Sequence, residues 1–223
     1  MMPFHRRHAP AFWLEKERQW LDSLNREQWA AADRDPLRRQ HEGKTLATHF
    51  HESVRHGDER LCAYCDGALL ETTPETVDHF LPRTPRGGFP VLALHWDNLF
   101  PACQLCNSAK RDRWSCAILR PDLDLSSNES DLSAFGRWFA LDEITGKLSP
   151  APEQKNRHLR YRIWRTIRLF RLNRPHRCKA RSRERRMLVG LDDEWLDLIC
   201  REGPYRFIAQ LIRAGRQSSP LRE

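Results

Sequence analysis

Apolar side chains recur at helical spacing near the start of the chain. Trp13, Leu14, Trp20, Leu21 and Leu24 predict an amphipathic helix over residues 11–34, with a break at Pro36. Leu46, Phe50 and Val54 form one stripe of a second helix, predicted over 37–56 with Gly57 at its end. From Leu61 to Pro90 the periodicity gives way to short segments punctuated by glycine and proline, the texture of a small β-containing module. A short helix is predicted over 103–113. Trp138–Leu141 and Ile144–Leu148 predict a hairpin turning near Thr145-Gly146. From Gln154 onward the pattern is helical again, with Ile163, Ile167 and Phe170 on one stripe. A last helix is predicted over 192–215, interrupted near Pro204. The pattern reads as a mostly helical α+β chain in three parts. These are a helical extension over 1–60, a compact core over 61–120, and a hairpin with basic helices over 121–223.

A chain of 223 residues can bury a sizeable core without disulfides, and 39% hydrophobic residues with eight tryptophans argue against wholesale disorder. Trp13, Trp20, Trp96, Trp138 and Trp164 sit in apolar patterns and are expected in the core or an interface. The net charge of +8 favours polyanionic partners, and its distribution says more than its total. Residues 155–186 hold Lys155, Lys179 and many arginines against one acid, Glu184. Such a face can grip phosphates without reading sequence, or dock on an acidic partner subunit. Lys110, Arg160, Arg165 and Arg168 are the expected contacts on either reading. No stretch approaches the roughly 18 apolar residues of a membrane span, and no apolar run follows His5-Arg6-Arg7-His8 as in a signal peptide. A cytoplasmic location without membrane contact is expected.

Cytosolic thiols stay reduced, so seven cysteines point to metal rather than disulfides. Their spacing decides it. Cys62-Ala63-Tyr64-Cys65 and Cys103-Gln104-Leu105-Cys106 are two C-x2-C pairs separated by 37 residues. Each pair makes a tight knuckle, and two knuckles complete a tetrahedral zinc site. Four thiolates leave no open position, so the zinc is structural. Cys116, Cys178 and Cys200 lack partner spacing and are expected as small core residues.

Between the knuckles lie Val77-Asp78-His79-Phe80-Leu81-Pro82-Arg83 and Leu94-His95-Trp96-Asp97-Asn98-Leu99. The second knuckle runs into Asn107-Ser108-Ala109-Lys110. These residue types suit phosphodiester hydrolysis. A neutral histidine can take a proton from attacking water, and a hard cation such as Mg²⁺ or Mn²⁺ suits the oxygens of Asp78 and Asn107. Zinc would fix Asn107 by fixing its neighbour Cys106. Adjacent residues on a regular strand point to opposite faces, so Asp78 and His79 can share a site only where the strand ends. His41, His49, His51 and His56 are expected on a solvated helix face rather than at a second metal, and His95 is expected to be structural.

On these residues Cys62–Arg113 resembles the zinc-knuckle branch of the HNH, or ββα-metal, endonuclease superfamily. The resemblance implies a small ββα-metal core held by a structural zinc on four cysteines and flanked by helices. It further implies His79 as general base, Asp78 as ligand of the catalytic ion, and Asn98 as the residue that orients the loop and the histidine. Asn107 takes the second ligand position, where the named pattern has histidine. The patterns C-x-Y-C, D-H-F-x-P-R, L-x-W-D-N-L and C-N-S-x-K are similar to the HNH subunits of Septu-type anti-phage systems, the PtuB group. Asp78 stands where glutamate is common there and Arg83 where lysine is common. Thr166–Asn173 and Pro204–Ile208 also look like that group, and DNA and an SMC-like, ABC-type ATPase subunit (PtuA type) are the implied partners. Two other functions stay open at this point: a stand-alone restriction-type HNH nuclease, and a zinc module that binds nucleic acid without cutting it. RNA remains open as a substrate alongside DNA.

Overall fold

The computed structural model describes residues 7–26, 35–54, 61–69, 75–84, 88–125, 134–201 and 203–218. Helix α1 (Ala11–Arg26) has the predicted amphipathic pattern, and the predicted continuation to 34 lies outside the described residues. Trp13 and Trp20 are fully buried, and their indole N–H groups donate to the carbonyls of Leu94 (2.8 Å) and Pro90 (3.0 Å). Glu17 meets His95 Nδ1 at 2.7 Å. The N-terminal helix therefore rests on the loop between the two sequence motifs of the central module, and the expected structural role of His95 is this contact.

The predicted helix over 37–56 is corrected. Pro36–Arg38 form a single 3-10 turn, followed by a hairpin of β1 (Gln40–His41) and β2 (Lys44–Thr45). Its turn residues Glu42 and Gly43 have φ of 48° and 76°, which no right-handed helix accommodates. Helix α2 (Leu46–Ser53) starts where the Thr45 side chain accepts the Thr48 N–H. Leu46, Phe50 and Val54 are buried as the stripe required. The histidines are not a solvated face: His49 Nε2 bonds the His41 carbonyl at 2.8 Å, the His41 ring stacks on Phe12, and His51 is buried. Gly57 and His56 lie outside the described residues.

In the central module β3 (Glu75–His79) pairs antiparallel with β4 (Leu99–Cys103), with Asp78 opposite Phe100 and His79 opposite Leu99. Helix α3 (Gln104–Lys110) follows β4 without a loop. Two 3-10 turns, Pro90–Leu92 and Trp96–Asn98, connect the strands.

After α4 (Ala134–Trp138), strands β5 (Phe139–Leu141) and β6 (Leu148–Pro150) form the second hairpin. The second strand begins at Leu148, not at Ile144 as predicted. Asp142 Oδ1 accepts the N–H groups of Ile144 and Thr145, which turns the chain and leaves Ile144 in solvent. Gly146 closes the turn at φ 68°, where any Cβ would collide with the Cys178 carbonyl. Helices α5 (Arg157–Leu169), α6 (Pro175–Leu188), α7 (Asp193–Arg201) and α8 (Arg206–Ser218) complete the chain, the last two separated near Pro204 as expected.

Ile163, Ile167 and Phe170 are buried, and Phe170 stacks on Tyr64 of the first knuckle with ring centroids 3.9 Å apart. One hydrophobic cluster runs from Trp13 through Phe100 to Phe207, so both flanks share the core of the module between them. The basic stretch divides. Arg181 is buried and donates to the carbonyls of Gly146 and Leu172, and Arg162 pairs with Asp124. Cys116 is exposed rather than in the core as expected, and Trp164 (49% exposed) lies off the buried stripe of α5, which leaves an interface as its expected place. No helix among the described residues is long and apolar enough to cross a membrane.

Candidate active site

The four knuckle cysteines come together. In the first knuckle the Cys62 N–H donates to Gly67 O and the Asp66 N–H to Cys62 O. In the second, Cys103 ends β4 and Cys106 lies in the first turn of α3. All four sulfurs lie within 4.8 Å of one another. Tetrahedral zinc with Zn–S bonds of about 2.3 Å requires sulfur–sulfur edges of about 3.8 Å, and Cys65 and Cys103 are 3.9 Å apart. The donor set suits zinc.

Two contacts at this cluster were not legible from spacing. The buried Arg177 of α6 points Nη1 at Cys106 Sγ (3.1 Å) and Nη2 at Cys103 Sγ (3.8 Å). Burial disfavours its charge, but the sulfurs more than offset this and hold its pKa above the ordinary value. The start of α8 grips the first knuckle: Arg206 donates twice to Asp66 Oδ1 (2.7 and 3.1 Å), and the N–H of Tyr205 just before it donates to Asp66 O (2.7 Å).

Next to the cluster a cleft of about 220 Å³ is lined by Asp78, His79, Asn107, Arg83, Arg111 and Asp112, with Asp35 at its edge. The strand does end where it must. The strand ends at His79 and the chain bends from Phe80, although the Phe80 N–H still donates to the Asn98 carbonyl in register, and Asp78 and His79 both line the cleft. Asn98 itself does not line it. Its buried amide donates to Leu81 O and Leu92 O and accepts the Leu81 N–H (2.8 Å), which fastens the loop behind the histidine.

His79 Nε2 lies 2.9 Å from the Ala93 carbonyl. A carbonyl only accepts, so Nε2 carries the proton and Nδ1 keeps the lone pair. Burial, helped by nearby Arg83, pushes the imidazole pKa down to about 4. Asn107 Nδ2 donates to Thr76 Oγ1 (3.0 Å), which itself donates to Ala102 O. This holds the amide with Oδ1 as its remaining acceptor.

Asp78 is buried, with Tyr64 Oη donating to Oδ2 (2.5 Å) and Lys110 Nζ to Oδ1 (3.0 Å). Burial pushes its carboxyl pKa up, and the lysine and tyrosine pull against that. An ionised carboxylate offers about four acceptor sites. Two are used here, so the donor set of Asp78 and Asn107 still suits a hard divalent cation.

Lys110, expected to face nucleic acid or a partner, is instead wholly buried, and its ammonium also donates to the His79 carbonyl at 2.6 Å. Arg160 likewise turns inward to Ala151 O and Gln154 O. Arg165 and Arg168 are exposed, in a groove beside the cleft. The buried pair gives a direct test. Lys110→Met strands the Asp78 charge, with an expected loss of about 3–5 kcal/mol in urea unfolding. The double variant Lys110→Met/Asp78→Asn is expected to recover part of it.

Sequence reasoning passed over Tyr64, Arg111, Asp112 and Asp35. Tyr64 was signalled only by its place inside the first knuckle. Arg111 ends α3 at φ 52°, a conformation side chains rarely adopt, and this turn puts it beside the cleft.

Residues 62–113 match the HNH endonuclease family. Over 70 residues the chain is 37% identical to the Septu protein PtuB of Bacillus thuringiensis, an alignment covering 30% of this chain and 26% of that protein. The match thus spans about a quarter of the curated relative's length. The paired cysteine knuckles, the antiparallel strands leading into a helix and the Asp-His cleft all fall within or beside this matched segment, so the likeness to the HNH endonuclease family and to Septu PtuB is centred on the site itself.

Proposed function

We propose that the chain is a divalent-metal-dependent endonuclease that hydrolyses DNA phosphodiester bonds in the Asp78–His79–Asn107 cleft. The observation that carries this reading is the arrangement of His79. It lines the cleft, its tautomer is set by the Ala93 carbonyl, and the free lone pair is on Nδ1. In the proposed reaction Nδ1 takes a proton from water as the oxygen attacks phosphorus and the bond to the leaving oxygen breaks. The half-buried imidazole then releases the proton to solvent, and the leaving oxygen takes one from water. Arg83 and Arg111 attract the phosphate to the cleft. Asp78 and Asn107 would hold a Mg²⁺ or Mn²⁺ ion, and the chemistry such an ion would supply is neutralisation of phosphate charge. Tyr64 and Lys110 orient Asp78 and favour its ionised form against the opposing effect of burial, and zinc in the cysteine cluster would keep α3 and Asn107 in place.

The sequence resemblance and the similarity to Septu PtuB support a role as the effector nuclease of an anti-phage system, acting beside an ATPase subunit. The decisive experiment is nicking of supercoiled plasmid by the purified chain, alone and with such a subunit, with and without added Mg²⁺ or Mn²⁺. Divalent-dependent nicks support the reading. Tight DNA binding with no cutting under either condition would favour a module that only binds.

The pH profile adds a sharper expectation. His79 acts as a base only when neutral, and its folded pKa lies near 4. The acid limb of kcat/KM attributable to it is therefore expected near pH 4, with no loss between pH 8 and 6. A limb near 6.5 would mean a solvated histidine. The same depressed pKa makes its contribution to stability fully present above about pH 6.5 and lost as pH falls through about 4.

A further inference from the structure

Helix α5 buries Ile163, Thr166 and Ile167 and turns a different set of residues to solvent. Arg157, Tyr161, Trp164, Arg165 and Arg168 share that outer face at i, i+3, i+4 and i+7 spacings. Tyr161 is 54% exposed and Trp164 49%. Large aromatic rings so exposed, alternating with arginines, are not core residues left over. Arg162 on the same helix shows the contrast, because it is spent on Asp124. Arg165, Arg168 and Arg171 have no carboxylate partner among the described residues.

The face leads into a groove of about 720 Å³ whose walls include Arg165, Arg168, Arg171 and Trp114. Trp114 is 44% exposed and set edge-on against Phe89, which limits how its indole can turn. Asp112 lines both this groove and the His79 cleft, so the two are contiguous.

We propose that the groove and the outer face of α5 bind an unpaired strand of nucleic acid, with Trp114 stacking on a base beside the cleft. Arg165, Arg168 and Arg171 meet its phosphates, and Trp164 with Tyr161 extend the stacking track. Basic side chains alone would serve a duplex, which offers only phosphates to such a surface. Half-exposed aromatic rings between them suit bases free to stack, and these exist in single-stranded or locally melted segments. The position of the strand relative to the scissile phosphate rests on the nuclease reading; the binding itself does not.

The test is fluorescence anisotropy with the full-length His79→Ala protein and no added divalent ion. A labelled single-stranded oligonucleotide is compared with its duplex. The single strand is expected to bind more tightly. Trp114→Ala is expected to weaken single-strand binding by about 5- to 150-fold, with Trp114→Phe recovering most of it. Duplex affinity and the salt dependence should be unchanged by Trp114→Ala. Arg165→Gln and Arg168→Gln are each expected to lower the log–log salt slope for the single strand by about 0.7. Unchanged melting temperature and metal content establish that each variant is folded. Equal binding of both forms, or wild-type affinity in Trp114→Ala, overturns the proposal. Plasmid nicking that survives such a result would leave the nuclease intact and remove only the track. Tryptophan-dependent single-strand binding without nicking would do the reverse.

Discussion

His79→Ala is expected to lower plasmid nicking by about 10²–10⁴-fold while leaving zinc content and melting temperature close to wild type. The size follows from the chemistry. Water at neutral pH is a poor nucleophile, and in the proposed mechanism the imidazole lone pair is the base that activates it. The benign effect on folding follows from the geometry. His79 ends its strand, its ring makes one hydrogen bond to Ala93 O, and the loop behind it is fastened separately by Asn98. His79→Gln sharpens the test, since an amide can keep the Ala93 contact and has no basic nitrogen. Equal loss in both variants is the expected result. Wild-type cutting by either would sink the mechanism.

Removing zinc is expected to unfold the central module rather than loosen it. Structural zinc in small domains contributes about 10–16 kcal/mol, as much as the whole net stability of a typical domain. Here the loss would spread in two directions. Cys103 closes β4 and Cys106 opens α3, so the strand pair and the Asn107 helix lose their junction. Arg177 would lose the anionic sulfurs that balance its buried charge, detaching α6. Burial, with hydrogen bonds among the neighbouring cysteines, pushes the Cys62 and Cys106 thiols up, so bound metal must displace their protons, and zinc retention is expected to weaken as pH falls. Metal analysis should give one zinc per chain. Chelation should produce a cooperative unfolding transition in tryptophan fluorescence that added zinc reverses. A stripped protein that melts as before would show that the cluster does not hold the fold together.

Much of the site was legible from the order of its residues. Two C-x2-C pairs have few physical uses in a reducing compartment, so the cysteine cluster could be read from spacing alone. Asp-His, Asn and Cys-x2-Cys-Asn in that order specified the cleft because each is local: a strand end, a loop brace and a helix start. The buried stripe of α5 and the paired helices at the C-terminus were equally plain, since periodicity records which face meets the core.

Other features depended on partners distant in sequence. Lys110 closes the C-N-S-x-K pattern at the end of α3, but only the approach of Asp78, 32 residues earlier, makes it a buried counter-charge. The arginines of residues 155–186 are alike in sequence. Their fates diverge because Arg177 meets the cysteine sulfurs and Arg181 the hairpin at Gly146, while Arg165 and Arg168 meet water. The helix expected over 37–56 yielded to a turn at Glu42-Gly43, whose left-handed residues a stripe of apolar positions cannot reveal. The sequence by itself determined which side chains meet in the cysteine cluster and the cleft, because their residue types and short spacings are local. Which charges are buried, and against what, was decided only by the tertiary structure, because the free energy of a charge depends on its neighbours in space.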